Sequence, residues 1–279
     1  PLKEILLSGG DPLTLPNVTI ARYLTLMAEA GMRTIRIGSK EVAFNPNRFD
    51  AAFWSALDLF HVNYPQVRIE LVGHYVHPYE LVQPLTDSEG NYVYSTATDY
   101  VVHPDVELTL NHINSRRSWF GHFNQFPIIA GVNDTPEIMR LLLHLTNKLG
   151  IGMHNVYACR EVIGNPHFRG DLTIAKQYDL LEAAKIGLSG LENHARLIMS
   201  TEQGKMEVLG HKDGKVYLRI NRFIHGRKPE NTTIIVDASK LQDEKFYWLT
   251  QNVIDNAIDE SSKDMLNSGL DGDTQFIKD

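Results

Sequence analysis

Short runs of β-branched and apolar residues alternate along this chain with longer stretches in which apolar positions recur every three or four residues. The first pattern reads as strand, the second as amphipathic helix. Strands are expected at Glu4–Leu7, Thr34–Ile37, Val67–Val72, Phe126–Ile129, His154–Ala158 and Ala195–Met199. Helices are expected around Val18–Ala30, closed by Gly31, and around Phe49–Phe60, with Asn47 or Asp50 as cap. Others are expected at Asp105–Ser115, Asp134–Leu149 and Thr173–Ile186. In the Asp134 helix, Asp134 and Glu137 fit a capping box, Pro136 suits the first turn and Gly150 lies past the end. Residues 82–103 read as an inserted loop or hairpin. Met206–Leu209 and Lys215–Ile220, joined by Asp213-Gly214, read as a β-hairpin. Residues 226–279 mix polar runs with one amphipathic helix, FYWLTQNVIDNAI, and end acidic.

Strand and helix in alternation argue an α/β fold: a parallel sheet with right-handed crossovers, open or closed into a barrel. The 279 residues are 43% hydrophobic, enough for a core. A net charge of −7 argues against a broad nucleic-acid surface. No run approaches the roughly 20 apolar residues of a membrane span. A single cysteine, Cys159, excludes a disulfide framework and any cysteine-only metal or cluster site within these residues. A reducing, cytoplasmic setting is the expectation. The sequence shows no internal repeat.

The unusual residues gather after the expected strands. Ser8-Gly9-Gly10-Asp11 follows the first, Gly38-Ser39-Lys40 the second, and Gly73-His74 with His77 the third. Gly131 to Asp134 follows the fourth, Cys159-Arg160 the fifth, and Ser200, Glu202, Gly204 and Lys205 the sixth. In a parallel β/α fold, that end of the strands carries the active site. Each group also has a structural reading. Gly9-Gly10 can be a tight turn, His74 and His77 can be packing residues or a metal pair, and Asn133 and Asp134 read as caps. Cys159 can be a small buried residue. Arg160 can lie on the surface or bind an anion, and Lys205 can be a turn lysine or a Schiff-base lysine.

The ordered series EILLSGGDP, IRIGSK, GHYVHPYEL, NQFPIIAGVND, VYACREVIGNPHFRG and STEQGKMEVLG resembles the lysine 2,3-aminomutase family of radical S-adenosylmethionine enzymes over about residues 3–222. The resemblance implies a partial (β/α) barrel of the radical S-adenosylmethionine type over residues 1–200, with its first strand missing. A pyridoxal-lysine loop and β-hairpin over 201–225, and a C-terminal extension over 226–279, would follow. Residues 82–103 and those from about 226 on find no counterpart. The family's CxxxCxxC loop, which holds a 4Fe–4S cluster, is absent. The expectation is that these cysteines lie upstream of Pro1. The alternative is a chain that never had them and performs no radical chemistry.

By the resemblance, Ser8, Gly9, Gly10 and Asp11 would bind the methionyl amino group of S-adenosylmethionine. Glycines let backbone carbonyls approach an ammonium, and Asp11 adds charge. Ser39, His74, Asn124 and Gln125 would line the cofactors, and Lys205 would carry pyridoxal 5′-phosphate as the catalytic lysine. Lysine-specific members hold the distal ammonium with two aspartates. Here those positions read Arg160 and Ser200, so the substrate expected is glutamate or another acidic or polar amino acid, with lysine as the alternative. An electron donor such as flavodoxin or ferredoxin is implied, a homo-oligomer is allowed, and neither nucleic acid nor membrane is expected. Two rivals remain: a metal-dependent lyase or hydrolase using His74, His77 and Asp11, and a cluster-less protein binding either cofactor.

Overall fold

A computed structural model describes residues 3–159, 166–201, 204–223 and 233–241. Packing divides the chain into two compact units, Pro1–Val156 with Leu180–Ala195, and Tyr157–Asp179 with Arg196–Asp279. The first unit opens with β1 (Glu4–Leu7), α1 (Asn17–Glu29), β2 (Thr34–Ser39), the single turn α2 (Glu41–Phe44) and α3 (Ala51–Asn63). It continues with β3 (Arg68–Gly73), α4 (Pro104–Asn114), β4 (Phe120–Pro127), α5 (Pro136–Lys148) and most of β5 (Gly152–Tyr157). Helix α6 (Ile174–Lys185) has residues in both units. The second unit carries β6 (Leu197–Thr201), β7 (Gly204–Lys212), β8 (Lys215–Phe223) and β9 (Thr233–Asp237).

Strands β1 to β4 are parallel and follow chain order. Crossovers of the usual right hand that each step one strand along put every helix on one face of the sheet. This singly wound order is that of a partial β/α barrel rather than a doubly wound sheet. The register sets the buried face in layers. Ile35, Ile69 and Phe120 stand side by side, then Ile37, Leu71 and His122, then Ser39, Gly73 and Asn124 at the strands' C-terminal ends. The lower layers are almost wholly apolar and buried, while the last is polar. On the opposite face Leu6, Arg36, Glu70 and Gly121 form a row. Arg36 pairs with Glu4 at 2.9 Å, and Arg68 pairs with Glu70. A Cβ on Gly121 would meet the Glu70 carboxylate, which would have to shift to admit it.

Several boundaries differ from the sequence pattern, each for a physical reason. The fourth strand is Phe120–Pro127, not Phe126–Ile129. Its inward positions include His122 and Asn124, polar residues that are buried because they find partners, so apolar counting misses half the strand. The cap of α5 is Thr135, whose Oγ1 accepts from Ile138 N at 3.4 Å. Asp134 instead accepts from Gly131 N at 2.8 Å and closes the preceding turn. Asp50 does cap α3, accepting from Phe53 N at 2.7 Å. Residues 82–103 are a strapped loop, with bridges only at Val82–Val102 and Thr86–Tyr92. The hydroxyls of Tyr79 and Tyr100 both donate to Val93 O, at 2.8 and 2.7 Å.

In the second unit β6 to β9 form an antiparallel meander. The expected hairpin is longer than its apolar core, and β6 joins it two residues later than Ala195. Asp213 and Gly214 both have positive φ, 50° and 72°, as a two-residue hairpin turn requires. Strand β9, TIIVD, lies in the segment read as polar extension. The expected helix FYWLTQNVIDNAI falls outside the described residues.

Candidate functional site

Ser8, Gly9 and Gly10 are exposed at the end of β1. Gly9 has φ 138°, a conformation L side chains rarely adopt, and nothing lies within 4 Å of where a Cβ would stand on either glycine. The backbone of this turn therefore faces open space. Asp11 does not. Its Oδ1 accepts from Leu13 N at 3.0 Å and Ser39 Oγ at 2.8 Å, and its Oδ2 accepts from Lys40 N at 2.6 Å. Ser39 is buried on the helix-covered face, where its Oγ donates to Asp11.

His74 follows β3. Burial, reinforced by the charge of Lys40, lowers its pKa to about 4, and its Nε2 is buried without a hydrogen-bond partner. Lys40 Nζ donates to His74 O and to Glu80 Oε1, each at 2.7 Å, and lies 4.7 Å from the Phe44 ring centroid. Glu80 Oε2 accepts from Val76 N at 2.8 Å. This ion pair ties the end of β2 to the loop after β3. Sequence reading missed it, since nothing local links Lys40 to Glu80. His77 is a cap, its Nδ1 accepting from Tyr79 N at 3.2 Å. With Asp11 and His77 so engaged, the metal-site rival loses its ligands. No group of three His, Cys, Asp or Glu able to hold a metal gathers among the described residues.

Asn124, expected to face a cofactor, is fully buried. Its Oδ1 accepts from Tyr75 N at 2.9 Å and its Nδ2 donates to Tyr75 O at 3.1 Å. It shapes the loop that carries His74, with both amide atoms engaged by the Tyr75 backbone. Gln125 points to the other face of β4 and is half-buried.

The second unit contributes Lys205. It is exposed, and its Nζ donates to Tyr157 Oη at 2.9 Å. Ser200 stands directly opposite Lys205 in the β6–β7 ladder, so both side chains leave the same face. Tyr157 was not singled out from the sequence; its only signal is its place at the end of a strand. Cys159 is buried, and its backbone N donates to Gln177 Oε1 at 2.9 Å. Arg160 lies outside the described residues, as does Glu202.

No family model matches the chain. It is 31% identical over 233 residues to a putative L-lysine 2,3-aminomutase of Aquifex aeolicus, covering 82% of this chain and 54% of that protein. The chain belongs to the lysine 2,3-aminomutase family. It is also 24% identical over 190 residues to the L-lysine 2,3-aminomutase of Acetoanaerobium sticklandii, covering 68% of this chain and 38% of that one. The L-lysine 2,3-aminomutase of Methanococcus maripaludis is 25% identical over 183 residues, 65% of this chain and 35% of its own length. The chain thus spans about half the length, or less, of the aminomutases it matches. The glycine turn and His74 lie in the first unit, and Lys205 lies in the second. Among the described residues no helix is long and apolar enough to cross a membrane.

Proposed function

We propose that this chain handles S-adenosylmethionine and pyridoxal phosphate in an amino acid 2,3-aminomutase, which moves an α-amino group to the β-carbon. The observation that carries the reading is Lys205: an exposed amine, 2.9 Å from the Tyr157 hydroxyl, at the position the resemblance gives to the pyridoxal lysine. Lys205 would hold pyridoxal phosphate through Nζ, and Tyr157 Oη, which accepts a hydrogen bond from that nitrogen, would orient it. The open Ser8–Gly10 turn fits the aminoacyl end of S-adenosylmethionine. The unmet Nε2 of His74, on a ring burial keeps neutral, fits a hydrogen bond from the same molecule. When bound, pyridoxal phosphate would supply a conjugated ring, joined through the substrate nitrogen, that delocalises electron density from the reacting carbon. A 4Fe–4S cluster does not fit these residues. It needs three thiolates, and the chain has one cysteine, which is buried.

For the substrate, a buried site prefers charge opposite to its own. Arg160 and Ser200 would bind a distal carboxylate, where a lysine ammonium would meet a cation. This favours glutamate. Lysine is the second reading, supported by the names of the relatives.

The test is borohydride reduction of the protein with pyridoxal phosphate, followed by peptide mapping. The label is expected on the peptide containing Gly204 and Lys205, and Lys205→Ala should abolish it. Lys40 is held by Glu80 and His74 O, so a label there would overturn the assignment. Competition between glutamate and lysine in the reconstituted whole enzyme tests the substrate. Lysine turnover that Arg160→Asp leaves unchanged would remove Arg160 from the site.

A further inference from the structure

The resemblance makes Asp11 a ligand for an ammonium, but the geometry points to a different role. Its two oxygens offer about four acceptor positions, and three donors of the chain itself already use them, the single Ser39 hydroxyl proton lying within reach of both oxygens. Leu13 N and Ser39 Oγ reach Oδ1 at 3.0 and 2.8 Å, and Lys40 N and Ser39 Oγ reach Oδ2 at 2.6 and 3.0 Å. An ammonium placed there would compete with two backbone N–H groups and a buried hydroxyl for the same carboxylate, and whichever it displaced would lack a partner. Ser39 is 6% exposed, and its Oγ also accepts from Glu41 N at 3.1 Å. The same loop is held from its other side. Arg48 Nε donates to Leu13 O at 2.6 Å, and Nη2 donates to Leu15 O at 3.0 Å. The guanidinium is itself fixed over the Phe53 ring, 4.9 Å from its centroid.

We propose that Asp11 is a positioning residue. With Ser39 and Arg48 it latches the Ser8–Gly10 turn to the end of β2, and the turn meets the ammonium with backbone carbonyls alone. The proposal rests on the reading of that turn as the S-adenosylmethionine site. Its physical content is preorganisation. Two adjacent exposed glycines beside a short strand have little of their own to hold one conformation. Apparent affinity falls in proportion to the fraction of molecules in which the turn is correctly set. The anchors raise that fraction without touching the ligand, and the buried Ser39 hydroxyl cannot touch it.

The experiment combines amide hydrogen exchange over residues 5–16 in ligand-free protein with calorimetric titration of S-adenosylmethionine. Ser39→Ala should speed exchange in this segment and weaken binding, each by about tenfold, since both follow the same loss of the set conformation. Ser39→Thr, which keeps the hydroxyl, should restore both. Arg48→Gln should act like Ser39→Ala, and Arg48→Lys, with one donor point in place of a fork, should rescue little. Asp11→Asn, which turns an acceptor into a donor facing Leu13 N or Lys40 N, should speed exchange as well. Weaker binding by Asp11→Asn with unchanged exchange would make Asp11 a ligand and overturn the proposal. So would unchanged exchange in Ser39→Ala. If the unaltered protein binds no S-adenosylmethionine, the cofactor reading fails, and the exchange rates still decide the latch.

Discussion

At the scale of single residues, the polar groups inside the first unit are the informative ones. His122 lies on the helix-covered face of β4, 6% exposed, with Nε2 3.1 Å from Tyr75 Oη. Burial, with a smaller push from Arg117, lowers its pKa to about 3, and burial raises that of Tyr75. Both stay neutral and can share a hydrogen bond where charge would be costly. The linkage has a definite sign. Above the ordinary histidine value of 6.5, neither folded nor unfolded chain protonates this ring. Below it, the unfolded chain takes a proton that the folded site refuses, so stability falls as pH drops toward about 3. His74, with its pKa at about 4, adds to the same slope. Thermal melting between pH 7 and pH 4 is expected to show a steeper loss in the unaltered protein than in His122→Gln. Parallel curves would mean that the ring titrates normally in the fold.

At the scale of elements, close packing at strand ends explains which glycines are fixed. A Cβ on Gly73 would stand 2.7 Å from Tyr75 Cε2 and 3.2 Å from His122 Nε2. Tyr75 is 1% exposed and cannot move aside. Gly73→Ala is therefore expected to cost about 1–3 kcal/mol, the usual penalty for overpacking. Gly10 has open space around it and a φ available to other residues, so Gly10→Ala should change stability by only a few tenths of a kcal/mol. Urea midpoints of the two variants make the comparison; equal losses would contradict the packing of Tyr75 on Gly73. Two neighbouring motifs, GHY and SGG, thus contain glycines of different kinds: one makes room for a ring, the other leaves backbone open.

At the scale of the whole molecule, the two units carry different parts of the proposed chemistry, and neither carries the third part. The glycine turn and His74 belong to a parallel β/α unit, and Lys205, Ser200 and Tyr157 belong to an antiparallel one. A radical reaction needs a cluster that one buried cysteine cannot hold. These 279 residues, loaded anaerobically with iron and sulfide, are expected to form no 5′-deoxyadenosine from S-adenosylmethionine above background. Production of the nucleoside would require cluster ligands other than thiolates and would undo this division of labour.

Local chemistry in the sequence determined much of this. Apolar periodicity set the order of strands and helices. Asp50 capped α3, Asp213-Gly214 turned the hairpin, and the uncommon residues fell after the strands, all through signals that act over a few residues. The tertiary structure decided what depends on partners distant in sequence. Asp11 meets Ser39 28 residues away, Lys40 meets Glu80 40 residues away, and Lys205 meets Tyr157 48 residues away. The first of those pairings underlies the latch proposed at Asp11. Tyr75, 47 residues from His122 and 49 from Asn124, likewise engages these two buried side chains in a strand that apolar counting passes over. A side chain's chemistry is written in its own residue, but the groups that satisfy it come together only when the chain folds.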